Sequence, residues 1–131
     1  MSKLAKGSFE LVMKPAPEGE GAGRVAVGRI MIDKEYSGDM VGQGQGEMLS
    51  AGNPAAGSAG YVAIEHVTAM LDGRAGSFAF QHAGVMHEGD SQLSITVVPG
   101  SGTGDLFGIE GSCKITIVDR QHYYEFEYAL G

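Results

Sequence analysis

The sequence is poor in cysteine and proline and has no run of basic residues. Its single cysteine, Cys113, excludes an internal disulfide and so gives no sign of a secreted disulfide scaffold. The chain has 4 prolines, and its 22 glycines show no period of three, which excludes collagen and a disordered linker. The 16 acidic and 9 basic residues give a formal charge of -7, which disfavours nucleic acid as a partner.

Long apolar runs are also missing. The first residues, MSKLAKGSFELV, hold no apolar run long enough for a secretion signal. No stretch approaches the roughly 20 apolar residues of a membrane span. We therefore expect a cytoplasmic protein that does not enter a membrane. Its length fits one domain, residues 1–131, with a continuous core.

Glycines scattered among β-branched and aromatic residues predict an all-β chain with many turns and bends. Alternation of apolar and polar residues predicts eight strands and no helix. The strands are expected at Gly7–Lys14, Arg24–Ile32, Tyr36–Ser50, Tyr61–Leu71, Arg74–Met86, Gln92–Val98, Gly111–Val118 and His122–Leu130. The connections between them are expected to include Pro15–Gly23, Asp33-Lys34, Ala51–Ala59 and the bends of Gly100–Gly111.

One predicted strand carries a row of glycines on a single face. Gly38, Gly42, Gly44 and Gly46 alternate with polar residues and share their face with Tyr36, Met40 and Met48. Such a row lets a sheet coil sharply or leaves room for bulky side chains of a neighbour. A flexible linker is the competing interpretation. The strict alternation favours a strand over the linker. The glycine content and the long central strands favour a closed antiparallel barrel of eight strands over a two-sheet sandwich.

Two polar pairs, Glu65-His66 and Gln81-His82, interrupt the longest predicted hairpin. A two-residue turn at Asp72-Gly73 would place Glu65 diagonal to His82 on one face. A slip of one residue would instead place Gln81 beside Glu65.

The first register predicts a candidate site inside the barrel. A carboxylate at Glu65 would be desolvated, which raises its pKa, and His82 could adjust its protonation for acid-base catalysis. Tyr61 would donate a hydrogen bond. In the alternative interpretation these side chains only satisfy one another, or Glu65 faces solvent. The residues expected to contact a ligand in the lumen are Tyr61, Gln81, Phe78, Phe80, Tyr124 and Phe126.

Other motifs do not point to chemistry. The segment GSGTGDLFG lacks the Lys-Ser/Thr ending of a phosphate loop, and a strand rather than a helix follows it. The histidines His66, His82, His87 and His122 show no paired metal-ligand spacing, so no metal site and no cofactor is expected. Cys113 is interpreted as a small core residue rather than a nucleophile.

Three segments carry a family resemblance: YSGDMVGQGQGEMLSA, GYVAIEHVTAMLDGRAGSFAFQHAGVM and LSITVVPGSGTGDLFGIEGSCKI. Together they resemble the family called domain of unknown function 3224. Residues Gly102 to Gly111 are also similar to the G-T-G-x-[FL]-x-G-x-x-G pattern of allene oxide cyclases and dirigent proteins. The resemblance implies an eight-stranded antiparallel β-barrel of that lipocalin-like type, holding an apolar small molecule without a bound cofactor. The catalytic residues of the cyclases cannot be assigned to positions of this chain, so the resemblance does not imply their activity.

Three functions follow as hypotheses. The first is a barrel that binds a small apolar or amphipathic molecule in its lumen. The second is a cofactor-independent isomerase or cyclase that uses Glu65 and His82 as acid and base. The third is a structural homo-oligomer without a ligand. The sequence does not decide whether the chain is an enzyme.

Overall fold

The computed structural model of the protein describes residues 2–15, 28–53, 56–88 and 90–130. These residues form one antiparallel sheet and contain no α-helix. The strands are β1 Lys3–Pro15, β2 Gly28–Gly38, β3 Met40–Asn53, β4 Ser58–Leu71, β5 Arg74–His87, β6 Asp90–Val97, β7 Thr103–Gly104, β8 Glu110–Val118 and β9 Gln121–Ala129.

The sheet closes on itself, as the sequence predicted. Each strand from β1 to β6 pairs with the next, β6 pairs with β8, β8 with β9, and β9 with β1. The two-residue strand β7 lies outside this ring and pairs only with β5. Eight strands therefore form a closed barrel, whose interior is just wide enough to be filled by side chains or to hold one small ligand.

The predicted connection at Asp33 and Lys34 is wrong. They were expected to connect two strands but lie in the middle of β2. The chain instead turns at Gly38-Asp39, where Gly38 has φ +104° and a Cβ would overlap Gly7 of β1. Only a residue without a Cβ fits this backbone and this close approach, which explains why the strand ends there.

The segment Ala51–Ala59 was expected to be a loop, but strand pairing covers most of it. Ala51 pairs with Gly60 and Asn53 with Ser58, so β3 and β4 run on to a short connection. Most of the predicted loop after Pro15 lies outside the described residues, as do positions 24–27 of the second predicted strand. The other predicted strands are present with shifted ends.

The two ends of the barrel differ. At the lower end, where the Asp72-Gly73 turn joins β4 to β5, the lumen is filled. The glycine-rich segment after β6 contributes to this filling: Leu106 and Ile109 are buried beneath the strands. Gly102 packs so closely under Leu106 that a Cβ would overlap its carbonyl oxygen. The segment therefore closes the lower end of the barrel by packing.

At the upper end the wall is weakest between β6 and β8. These strands are joined by one residue pair, Thr96 with Ser112, whereas their other neighbours are paired over at least eight residues. Above this pair, the inward-facing Leu93, Ile115 and Ile117 border an opening into the lumen. The described residues contain no helix that is long and apolar enough to cross a membrane.

Candidate functional site

The β4–β5 hairpin places the predicted pair inside the barrel. Leu71 pairs with Arg74 across the turn, and Asp72 and Gly73 both have positive φ. Glu65 then pairs with Phe80 and lies diagonal to His82, so the first register is correct and the one-residue slip is wrong. His82 Nε2 lies 2.8 Å from Glu65 Oε1, within hydrogen-bond distance.

Two residues of β2 complete the surroundings of Glu65. Lys34 Nζ donates to Glu65 Oε1 at 3.0 Å, and the Tyr36 hydroxyl donates to Glu65 Oε2. Lys34 also lies over the Phe9 ring, 4.7 Å from its centroid, in a cation–π arrangement. Strands from different parts of the chain thus bring four polar groups together inside the barrel: Lys34, Tyr36, Glu65 and His82, here called the buried cluster.

The glycine row of β3 makes room for this cluster. Gly42, Gly44 and Gly46 share the inner face with Met40, as predicted. A Cβ on Gly44 would overlap Glu65 Oε2 and come within 3.1 Å of the Tyr36 ring. The glycine therefore provides the space in which the carboxylate and the tyrosine meet.

The electrostatics of Glu65 differ from the sequence-based expectation. Burial is the largest single influence and would raise its pKa, since the side chain is 0% exposed. The hydrogen bond from His82, the charge of Lys34 and the hydrogen bond from Tyr36 together outweigh burial, so the pKa is lowered. The expected rise is therefore wrong, and Glu65 is a carboxylate at neutral pH. Burial and the nearby carboxylate raise the pKa of Tyr36 well above its usual range, so it stays a hydrogen-bond donor.

Above the buried cluster lies a cavity of about 310 Å³ that opens at the upper end of the barrel. Its volume falls at the lower end of the range of small-molecule sites. Lys34 and His82 form part of its floor and are 8% and 5% exposed. The walls are apolar apart from Tyr61 and His122 near the mouth; they comprise Phe9, Leu11, Met13, Ile32, Met48, Ala63, Leu93, Ile115 and Ile117.

The residues predicted to contact a ligand fall into three places. Tyr61 lines the cavity, and its ring lies so close to Gly84 that a Cβ there would overlap it. Four aromatic residues fill the lower half of the lumen and do not line the cavity: Phe78, Phe80, Tyr124 and Phe126. Their ring centroids lie 4.9 Å apart for Phe78 and Phe80, and 5.1 Å apart for Phe80 and Phe126. Gln81 lies on the outer face of β5, away from Glu65.

Sequence reasoning missed Lys34, Tyr36 and His122 as site residues. A signal for the first two was present, because the alternation that begins at Ile30 and Ile32 continues through Lys34 and Tyr36. The predicted strand ended at Ile32, so this continuation of the alternation was not recognised. His122 lies at the end of β9, where its ring is 5.1 Å from the Phe9 ring. No local motif marks that position.

The cluster can hold or move protons, and it offers donors to the cavity. Glu65 is completely buried and does not line the cavity, so its contacts with the cavity residues are those with Lys34 and His82. Residues 2–15, 28–53, 56–88 and 90–130 contain no group of three or more His, Cys, Asp or Glu side chains placed to hold a metal ion. Cys113 is a buried core residue, as predicted, and burial raises the pKa of its thiol to about 12.

Comparisons with known proteins place the chain in a family. The model of the family described as "Protein of unknown function (DUF3224)" matches residues 5–128. A crystal structure of a DUF3224 protein of unknown function from Shewanella oneidensis MR-1 is similar, with a TM-score of 0.88 and 42% identity. The match covers 100% of this chain and 99% of that chain. No curated protein matches, and the likeness to allene oxide cyclases stays an expectation. The chain belongs to the DUF3224 family, whose members are described as proteins of unknown function.

Proposed function

We propose that the barrel binds a small apolar or amphipathic molecule in the cavity at its upper end. The observation that carries this proposal is the cavity itself: apolar walls surround about 310 Å³ above a polar floor. Aromatic side chains fill the lower half of the same lumen, so the upper half differs from a fully packed core. A concave, largely apolar space with few convergent polar groups is the usual form of a small-molecule site.

A binding assay with a neutral probe tests the proposal. N-phenyl-1-naphthylamine fluoresces in apolar surroundings and is expected to bind saturably, with one molecule per barrel. Ile117 lines the mouth and is 61% exposed, so Ile117→Trp should obstruct entry and abolish binding at little cost to folding. Val118 is the matched control, because it is 51% exposed on the outer face and does not line the cavity. The proposal fails if the probe does not bind, or if Ile117→Trp binds it like Val118→Trp.

A second candidate function is a cofactor-independent isomerase or cyclase. The hydrogen bond between His82 and Glu65 favours it, since a carboxylate that orients an imidazole facing a cavity is a common acid-base arrangement. His82 would touch the substrate and Glu65 would act as its positioning residue. With a substrate found by screening, His82→Gln should lower kcat by about a hundredfold or more. His66→Gln on the outer face of β4 is the control, and equal rates in the two variants would exclude the mechanism.

The expectation of a homo-oligomer stays a prediction, which light scattering tests.

A further inference from the structure

The floor of the cavity presents hydrogen-bond donors. The Lys34 ammonium carries three N–H groups. Glu65 Oε1 is its only hydrogen-bond acceptor within the described ranges, and the Phe9 ring faces it at 4.7 Å. At least one N–H group of this side chain, which is more than nine-tenths buried, is therefore left for a group in the cavity. A buried donor of this kind is costly to leave without an acceptor.

Within the part of the chain that the structure describes, no further protein acceptor contacts this donor. Both oxygens of Glu65 are engaged within the cluster, Oε1 by Lys34 and His82 and Oε2 by Tyr36. His82 uses Nε2 for Glu65, and its Nδ1 has no hydrogen-bond partner in the described part of the chain. The described residues contain no fully buried polar side-chain atom without a partner, so Nδ1 is accessible, and His82 lines the cavity.

Lys34 and His82 are close enough to act on one ligand group. Both reach the same oxygen, Glu65 Oε1, from distances of 3.0 and 2.8 Å. A planar group with two acceptor oxygens can meet one donor with each of them. Charge-assisted hydrogen bonds are roughly twice as strong as neutral ones, and apolar walls strengthen them further.

The charges of the cluster favour a single negative charge on the ligand. His82 Nε2 donates to Glu65, so Nδ1 can donate to a ligand only when the imidazole carries both protons. In that state Lys34 and His82 are two cations beside the one carboxylate of Glu65, and a monoanion makes the cluster neutral. A dianion such as a phosphate monoester would leave an uncompensated charge among apolar walls, which is costly. A neutral alcohol could accept a hydrogen bond from the Lys34 ammonium, but it has one oxygen instead of two and brings no negative charge to the cluster.

We propose that the ligand is a monocarboxylic acid with an apolar chain, whose carboxylate binds Lys34 and His82 while its chain lies along the cavity walls. This inference rests on the proposed function, because it names the ligand class of the same cavity. It also gives Glu65 a defined role. Its negative charge stabilises the buried Lys34 ammonium and holds the His82 ring in position.

The test compares octanoate with 1-octanol by titration calorimetry at neutral pH. These probes share their chain length and differ in the head group. The wild-type protein is expected to bind octanoate at least about tenfold tighter, which corresponds to one charge-assisted hydrogen bond. Because this comparison uses the unaltered protein, it does not depend on the folding of any variant.

A double variant, Lys34→Met/Glu65→Gln, removes both charges of the ion pair. This change should destabilise the fold far less than a single substitution that leaves one buried charge unpaired. The double variant should lose the preference for octanoate over 1-octanol, and the measured quantity is the ratio of the two affinities. The control, Lys14→Met/Glu10→Gln, removes the same residue types from the exposed outer face of β1 and should keep the preference.

The outcomes separate the two proposals. Equal binding of octanoate and 1-octanol by the wild type would overturn the carboxylate inference and leave the lumen-binding function standing. Binding of neither, when the naphthylamine probe binds, would also overturn the inference alone. Binding of none of the three probes would overturn the proposed function itself. A preference for octanoate that persists in the Lys34→Met/Glu65→Gln variant would show that another group selects the acid.

Discussion

The Glu65 carboxylate fills the space that a side chain at position 44 would need, since a Cβ on Gly44 would overlap Glu65 Oε2. The buried cluster therefore depends on a glycine of the strand that follows its lysine and tyrosine in the sequence. Gly44 lies on β3, between β2, which carries Lys34 and Tyr36, and β4, which carries Glu65. The absence of one side chain lets three neighbouring strands share a polar site.

Gly44→Ala should destabilise the protein by about 1–3 kcal/mol, because the new methyl group must displace a carboxylate held by three donors. The free energy of unfolding from urea titrations measures this effect. Gly60→Ala is the control, because its Cβ would meet only Gly84 O, at 3.8 Å, an ordinary contact. It should be neutral or slightly stabilising. Equal costs at the two positions would show that the space beside Glu65 is not tightly filled.

Glu65→Gln should lower the free energy of unfolding at neutral pH by about 3 kcal/mol, because it leaves the Lys34 ammonium buried without its counter-charge. Glu47→Gln makes the same chemical change in the exposed Arg29–Glu47 pair, whose side chains are 45% and 54% exposed. It should cost less than about 1 kcal/mol. Similar costs for the two variants would contradict the role assigned to the buried pair.

The lowered pKa of Glu65 predicts how the free energy of unfolding depends on pH. Its pKa in the folded state lies below the ordinary value of 4.5, so the folded protein binds this proton less strongly than the unfolded chain. The stabilisation is present above the ordinary pKa and is lost as the pH falls through the lowered one. Thermal unfolding from neutral pH down to about pH 3 should show a steeper acid loss in the wild type than in Glu65→Gln. Parallel profiles would mean that the pKa of Glu65 is not lowered.

Tyr124 holds the turn between β2 and β3 from inside the lumen. Its hydroxyl accepts a hydrogen bond from Met40 N at 2.8 Å and lies 2.9 Å from Ser37 O, to which it donates. Tyr124→Phe should cost about 1–3 kcal/mol, because it leaves the buried Met40 N–H without an acceptor. Tyr123→Phe, on the outer face and 44% exposed, should change the free energy of unfolding little. If both variants unfold at the wild-type urea concentration, the hydroxyl does not hold the turn.

Cys113 should resist thiol reagents while the barrel is folded. Burial raises the pKa of its thiol to about 12, so almost no thiolate exists at pH 8. We expect Ellman's reagent to modify it only in denaturant. The control is Ser112→Cys in a Cys113→Ser background, which places the thiol one residue away on the exposed face of β8. This thiol should react with Ellman's reagent within the dead time of mixing. Fast modification of Cys113 in the native protein would show that the wall at β8 opens readily.

Because only one residue pair joins β6 to β8, we expect a local difference in hydrogen exchange. Residues 90–95 of β6 pair with β5 on one side and have no strand partner in β8 on the other. Peptides from this segment should exchange faster than peptides from β4, which is paired along its length on both sides. Mass spectrometry of deuterated peptides measures both in one sample. Equal protection would mean that β6 and β8 are joined along their whole length.

The central hairpin was determined by local sequence. Asp72-Gly73 favours a turn whose two residues both have positive φ, and that turn fixes the register that places Glu65 diagonal to His82. The alternation of the closing strand likewise predicts its buried face, including Tyr124 and Phe126. These features could be predicted because each depends on neighbours within a few residues along the chain.

The composition of the site was decided by tertiary structure. Lys34 reaches Glu65 only because β2, β3 and β4 are adjacent in a closed sheet and because Gly44 leaves space between them. The lowered pKa of Glu65 follows from that meeting, since burial alone would have raised it. Which aromatic rings fill the lumen and which residues border the cavity also depends on the closed ring of strands. Sequence periodicity assigns a residue to a face of one strand, whereas a charge pair inside a barrel depends on which strands are neighbours in the closed sheet.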